Sequence, residues 1–235
     1  MLKETLEKIA KVLAPPSTRF QWKPQLNPYT LLPPKPVIFD IGAQDAKGVY
    51  PWGSPPEDAT LTCIDIEDGP GVDVVADAHD LSIIPDGSAD CVVASGMLLH
   101  CQEPDTVFAE FNRVLKPGGI LYINTPFISP HPAYPTVYQF HSHEGLEYLC
   151  REFETLETGW NRGPASTMAY LLMVFFAVVF SFNRPYLFTA GLFFFGWLFF
   201  LLKYFDVILG NLYYAKLFYT EAYIVSKKPE RPQGV

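Results

Sequence analysis

Five short apolar runs, the first four ended or followed by a glycine, an aspartate or a serine, constrain the fold of this chain more than any other feature. They cover residues 37–41, 61–65, 72–76, 91–94 and 120–124. Gly42 follows the first, Asp65 ends the second, Asp77 follows the third and Ser95 the fourth. Runs this short and this apolar are how strands look when both faces are covered, the condition met in a parallel sheet. Helical patterns alternate with them. Pro104 opens a segment with Val107, Phe108, Phe111 and Val114 at helical spacing, and Lys116, Pro117, Gly118 and Gly119 read as its stop. A second helix is expected after Ser142, with Leu146, Leu149 and Phe153 on its buried face. Strands alternating with helices predict a doubly wound, Rossmann-like α/β sheet.

Either side of this core the pattern changes. Leu2, Leu6, Ile9 and Leu13 predict an amphipathic N-terminal helix, closed by Pro15 and Pro16, and a Pro-rich arm with Trp22 and Tyr29 as anchors runs on to residue 35. The opening residues lack the apolar core and small-residue cleavage site of a signal peptide. The core is expected over residues 36–163, a hydrophobic helical hairpin over 164–216, and a final strand with a tail over 217–235. The formal net charge is −8. An acidic surface argues against nucleic acid and against polybasic adhesion to anionic lipid, so membrane contact would have to be hydrophobic. Cys63, Cys91, Cys101 and Cys150 form no Cys-x-x-Cys pair and are expected as buried free thiols.

In an open parallel sheet, ligands sit at the carboxyl ends of the strands, where strand order reverses. Asp65 there can accept hydrogen bonds from both hydroxyls of a ribose, and Asp77 from an exocyclic adenine amine while the Ala78 N–H reaches a ring nitrogen. His100 and His131 follow the fourth and fifth runs and are candidate bases, with His141 and His143 as further candidates by type. His131, Tyr134 and Tyr138 are candidate linings of a substrate pocket. His141, His143 and Glu144 set no third metal ligand by spacing, so no metal site is expected.

The segments 37–42, 63–66, 74–81, 85–93 and 114–121 together resemble the class I S-adenosylmethionine-dependent methyltransferases, especially the methyltransferase type 11 group. The resemblance runs from Val37 to Phe153. It implies a seven-stranded sheet whose last strand, residues 219–227, is antiparallel, and S-adenosylmethionine held by Asp40, Gly42, Asp65, Ile66, Asp77, Ala78 and Ser95. In the family the first motif carries further glycines; Ala43, Gln44, Asp45 and Ala46 stand there in this chain. Pro51, Pro55 and Pro56 follow, which disfavours the regular helix that a dinucleotide's pyrophosphate requires and ranks a nicotinamide cofactor below S-adenosylmethionine.

Residues 164–183 and 185–202 carry no charge, and each is close to the ~20 residues that cross a bilayer as a helix. Both ends of this hairpin adjoin strands of one sheet, so it makes two crossings or none. The expectation is a methyltransferase at the cytoplasmic face of a membrane, acting on a small, hydrophobic or lipid-like acceptor. The alternative is a catalytically inactive methyltransferase-like scaffold anchored there, favoured by Gln44.

Overall fold

The computed structural model describes residues 14–15, 17, 26–43, 50, 52–130 and 135–230. The predicted N-terminal helix, Trp22, Gln44, His131 and Tyr134 lie outside them. The chain divides into two compact units, one carrying the sheet and one formed mainly by Arg162–Thr220.

The first unit is a seven-stranded sheet of β1 (Val37–Ile41), β2 (Thr60–Asp65), β3 (Val74–Val75), β4 (Ala89–Ser95), β5 (Leu115–Pro126), β6 (Glu154–Trp160) and β7 (Glu221–Lys227). The order is β3-β2-β1-β4-β5-β7-β6. Strands β1 to β5 are parallel, and β7 lies antiparallel between β5 and β6. Ile38, Cys63, Ile64, Val92, Val93, Leu121 and Ile123 are all buried, as the continuous apolar runs require. Helices α1 (Pro104–Val114) and α2 (His143–Leu149) turn Val107, Phe108, Phe111, Leu146 and Leu149 inward. Ser142 caps α2 by accepting the Gly145 N–H at 3.2 Å.

The other face of the sheet is covered by the arm and by the loop after β1. Tyr29 meets Trp52 edge-on at 5.8 Å, Tyr50 stacks on Trp52 at 5.0 Å, and Trp52 meets Tyr122 of β5 at 4.3 Å. Aromatic rings supply much of the buried area on this face and hold irregular backbone against the sheet.

Three elements differ from the sequence pattern. Strand β3 is only two residues long; just before it the Asp73 N–H donates to the Cys63 carbonyl while its carboxylate accepts the Cys63 N–H, both at 2.8 Å. The helix ends at Val114, just before Lys116, Pro117, Gly118 and Gly119, as the run predicts, but those four residues lie within β5, where the register against β4 shifts between Ala89 and Cys91. Gly118 takes φ +80°, and a Cβ on Gly119 would sit 2.9 Å from the Lys116 carbonyl oxygen, so the glycines make a bulge. Strand β6 has no apolar run at all; its first three residues are exposed.

The second unit holds α3 (Pro164–Val179) and α4 (Pro185–Phe199), joined by a turn in which Phe182 and Asn183 adopt left-handed backbone. The second arm continues as helical turns to Leu209, 25 residues from Pro185. Gly191 lets the helices close, since a Cβ there would lie 3.0 Å from the Ala177 Cα. Phe176 stacks on Phe195 at 5.3 Å and on Phe199 at 5.8 Å across this contact. Gly163 offers α3 no side-chain cap. The buried Asp206 carboxylate takes that role from 40 residues away, accepting the Ala165 N–H at 2.7 Å and the Ser166 N–H at 2.9 Å. A carboxylate at a helix N-terminus answers both its unpaired donors and its dipole.

Strand order reverses between β1 and β4, so the loops after these strands meet. Gly42 follows β1 with φ +74°, and a Cβ on it would lie 2.4 Å from the Met97 Cβ in the loop after β4. Gly42→Ala is therefore expected to lose at least ~2 kcal/mol of stability by chemical denaturation, combining left-handed strain with overpacking. Met97→Gly in the same chain removes the clash but not the strain, so it recovers part of the loss. Additive losses in the double variant would contradict the contact.

Candidate functional site

A cavity of about 790 Å³ opens at the carboxyl ends of β1 to β4, against the β1–β4 reversal. Gly42, Asp65, Ile66, Asp77, Ala78, Ser95, His100 and Tyr138 line it, so eight of the residues singled out in the sequence converge on one place. Parallel strands bring six of them there, since Gly42, Asp65, Ile66, Asp77, Ala78 and Ser95 end or closely follow strands that point the same way, and His100 and Tyr138 come from a turn and a strap beyond.

Asp65 ends β2 and is 7% exposed; its Oδ1 accepts the Glu67 N–H at 3.1 Å. The Ala76 N–H donates to the Asp65 carbonyl at 2.9 Å, which places the β3 loop beside it. Asp77 Oδ1 accepts the backbone N–H of His79 at 2.9 Å and pairs with its Nδ1 at 2.7 Å. Burial pushes the Asp77 carboxyl up, but the His79 hydrogen bonds outweigh it and hold the group below the usual carboxylate range. Ser95 ends β4, its hydroxyl 3.4 Å from the Asn124 amide nitrogen.

Asp65, Glu67, Asp77 and Glu103 all line the cavity, and no lysine or arginine is among its described lining residues. This field suits a cation and opposes phosphate. S-adenosylmethionine carries a sulfonium and an ammonium and no phosphate, so the acidic donor set and the volume both fit it. The phosphates of a dinucleotide do not fit this charge.

One wall is a strap, residues 135–140, fastened to the turn Leu98–His100. The Tyr138 N–H donates to the Leu99 carbonyl at 2.9 Å, Gln139 Nε2 to the Cys101 carbonyl at 2.9 Å, and Gln102 Nε2 to the Tyr138 hydroxyl at 2.7 Å. His100 Nδ1 lies 2.8 Å from the Thr136 carbonyl oxygen. A carbonyl only accepts, so Nδ1 carries the proton and Nε2 keeps its lone pair for a ligand.

Asp40 does not line the cavity. It lies one residue inside β1, 1% exposed, with its carboxylate against the Tyr50 hydroxyl. Burial, and after it the Asp40 charge, push the Tyr50 phenol well above its ordinary value, so Tyr50 stays a donor. Asp40 thus anchors the covering loop. His141 and His143 are also absent from the lining; His143 Nε2 pairs with Glu144 Oε1 at 3.0 Å, and burial lowers the pKa of His141. His79, Met97, Gln102 and Glu103 were not singled out in the sequence and line the cavity. Only His79 carried a signal, its place two residues after Asp77.

Residues 56–123 match the family model "Methyltransferase domain", a span that includes Asp65, Asp77, Ser95 and His100. A human protein named thiol S-methyltransferase TMT1B is 36% identical over 66 residues, 28% of this chain and 27% of that protein. A Streptomyces fradiae protein, an uncharacterised 37.1 kDa protein in transposon TN4556, is 41% identical over 61 residues, 26% of this chain and 17% of that protein. The matches thus span about a quarter or less of these curated relatives. Among solved structures, the [4+2]-cyclase SpnF superposes with TM-score 0.54 at 18% identity, covering 96% of this chain and 95% of the other. A Galdieria sulphuraria protein provisionally assigned as a sarcosine dimethylglycine methyltransferase gives TM-score 0.54 at 14% identity, covering 86% and 82%. At these identities the superpositions establish the fold. The matched segment carries the strand-end motifs and is similar to methyltransferase domains, and the superpositions show a shared fold.

Proposed function

We propose that the protein transfers a methyl group to a small or hydrophobic acceptor at the cytoplasmic face of a membrane. The observation that carries the reading is the convergence of Asp65, Asp77, Ser95 and His100 on one acidic cavity at the β1–β4 reversal. S-adenosylmethionine, when bound there, supplies an electrophilic methyl on a sulfonium with a good leaving group. Asp65 accepts the ribose hydroxyls, Asp77 accepts the adenine amine with the Ala78 N–H beside it, and Gly42 lets backbone approach. The strap with Tyr138 walls the acceptor side and excludes water. His100 Nε2, whose lone pair is free, would accept the proton of the acceptor group. A thiol fits this arrangement, and the similarity to a thiol S-methyltransferase supports that class. His131 and Tyr134 are proposed to complete the acceptor pocket.

Residues 164–216 are proposed as the membrane element. Pro185–Leu209 is long and apolar enough, by length and composition, to cross a bilayer, and only 11% of its most apolar window is buried. Phe182, Tyr186, Phe194, Leu198 and Ile208 are more than half exposed, an apolar area that water disfavours. Trp160 of β6 pairs with Ala222 of β7, and the Asn161 N–H donates to the Glu221 carbonyl at 3.0 Å, so the excursion leaves and returns at one point. A single crossing is impossible. The scaffold alternative rests on Gln44 alone, and the titration below separates it from the enzyme.

Calorimetric titration of the full chain in detergent with S-adenosylhomocysteine is expected to give saturable binding, weakened at least ~10-fold by Asp65→Ala through loss of a charged hydrogen-bond acceptor. Absence of binding would leave the scaffold. His100→Ala is expected to slow methylation of an alkyl thiol by ~10²–10⁴ while leaving that affinity unchanged; an unchanged rate would remove His100 as the base.

Charges placed in an apolar span cost about 2.5–3.5 kcal/mol each at its centre. The pair Phe194→Lys and Leu198→Lys is therefore expected to move the protein from the membrane pellet to the supernatant on fractionation. Pelleting unchanged by both charges would contradict membrane insertion of this arm.

A further inference from the structure

Asp77 lines the cavity beside His79. Its side chain is half exposed, a setting in which a carboxylate ordinarily rotates and hydrates. Here one oxygen is clamped twice by a single residue, by the backbone N–H of His79 at 2.9 Å and by its Nδ1 at 2.7 Å. The far side of the ring is held as well. The Glu103 N–H, at the start of α1, points at His79 Nε2 across 3.4 Å. A ring that accepts at Nε2 carries its proton on Nδ1, so the long contact to Glu103 and the short one to Asp77 call for the same tautomer. The ring itself lines the cavity and is 29% exposed.

From this geometry we infer that His79 is a specificity-determining positioning residue for the nucleobase. It fixes Asp77 Oδ1 and thereby presents Oδ2 to the ligand as a pure acceptor. The inference rests on the proposed placement of the adenine at Asp77 and Ala78. An ionised, immobilised carboxylate accepts from an amine at the purine 6-position and repels a carbonyl there, because two acceptors cannot share a proton. A carboxylate free to rotate would swing away and let water bridge to either group. The purine edge is then selected through His79, although His79 need not touch the base.

The test compares S-adenosylhomocysteine with S-inosylhomocysteine, its deaminated counterpart, by calorimetric titration of the full chain. The wild type is expected to prefer the adenine form by at least ~10-fold, the size of one charge-assisted hydrogen bond. His79→Ala and His79→Phe remove the ring donor, the second while keeping the ring's bulk, and are expected to bring the preference below ~3-fold. His79→Asn, whose side-chain N–H can occupy the Nδ1 position, is expected to restore most of it. A ratio unchanged in both His79→Ala and His79→Phe, with the wild type discriminating, overturns the inference and leaves the cofactor reading intact. No binding of S-adenosylhomocysteine by the wild type overturns the cofactor reading and the inference with it. Equal loss of affinity for both ligands assigns His79 a merely structural role and also overturns the inference.

Discussion

Where Gly42 meets Met97, the first and fourth strands of the sheet deliver their loops to one point, and every candidate residue of the site is placed relative to that meeting. Strand order reverses there, which opens a crevice that no neighbouring strand fills. The approach is so close that only glycine fits after β1, and the same glycine supplies the left-handed turn that takes the chain out of the sheet. In this molecule the glycine therefore answers first to Met97, a protein side chain, and only then to any ligand. Its neighbours set the chemistry: four carboxylates line the opening, with no lysine or arginine among the described lining residues, a field that suits positive charge.

The chain covers the sheet unequally. On one face α1 and α2 pack as helices do, with apolar residues at helical spacing turned inward. On the other, rings do the work of a helix, with Tyr29, Tyr50 and Trp52 laid on Tyr122. Asp40 belongs to this covering layer. Its burial against Tyr50 ties the loop after β1 to the strand beneath it. The excursion between β6 and β7 has its own internal fastening, the Asp206 carboxylate on the first turn of α3, with Gly163 required because a Cβ would lie 2.6 Å from Asp206 Oδ1.

The central strands were legible because burial on both faces leaves a continuous apolar run, and β1 matches its pattern residue for residue. The same logic explains what was hidden. Strand β6 sits at the sheet edge with Glu154, Thr155 and Leu156 exposed, so it carries no run to read. The run at Gly118 and Gly119 was legible as the end of α1, but composition does not show that the same glycines form a bulge in β5. In the site, Asp65, Asp77 and Ser95 were legible as strand-end residues. Asp40 looked equivalent by type, but one residue of depth in the strand put its carboxylate under the sheet. His79 and Glu103 come together only through the fold, since 24 positions separate them and no periodicity links the two. The tautomer of His100 likewise depends on a carbonyl 36 residues away.

One acidic crevice at the β1–β4 reversal is proposed to receive the nucleoside of S-adenosylmethionine. A crystal structure of the full chain grown with S-adenosylhomocysteine tests it most directly. Ribose hydroxyls are expected within hydrogen-bond distance of Asp65 and the adenine amine within hydrogen-bond distance of Asp77. Ligand density elsewhere on the molecule, or a nucleoside in the crevice that touches neither carboxylate, would contradict it.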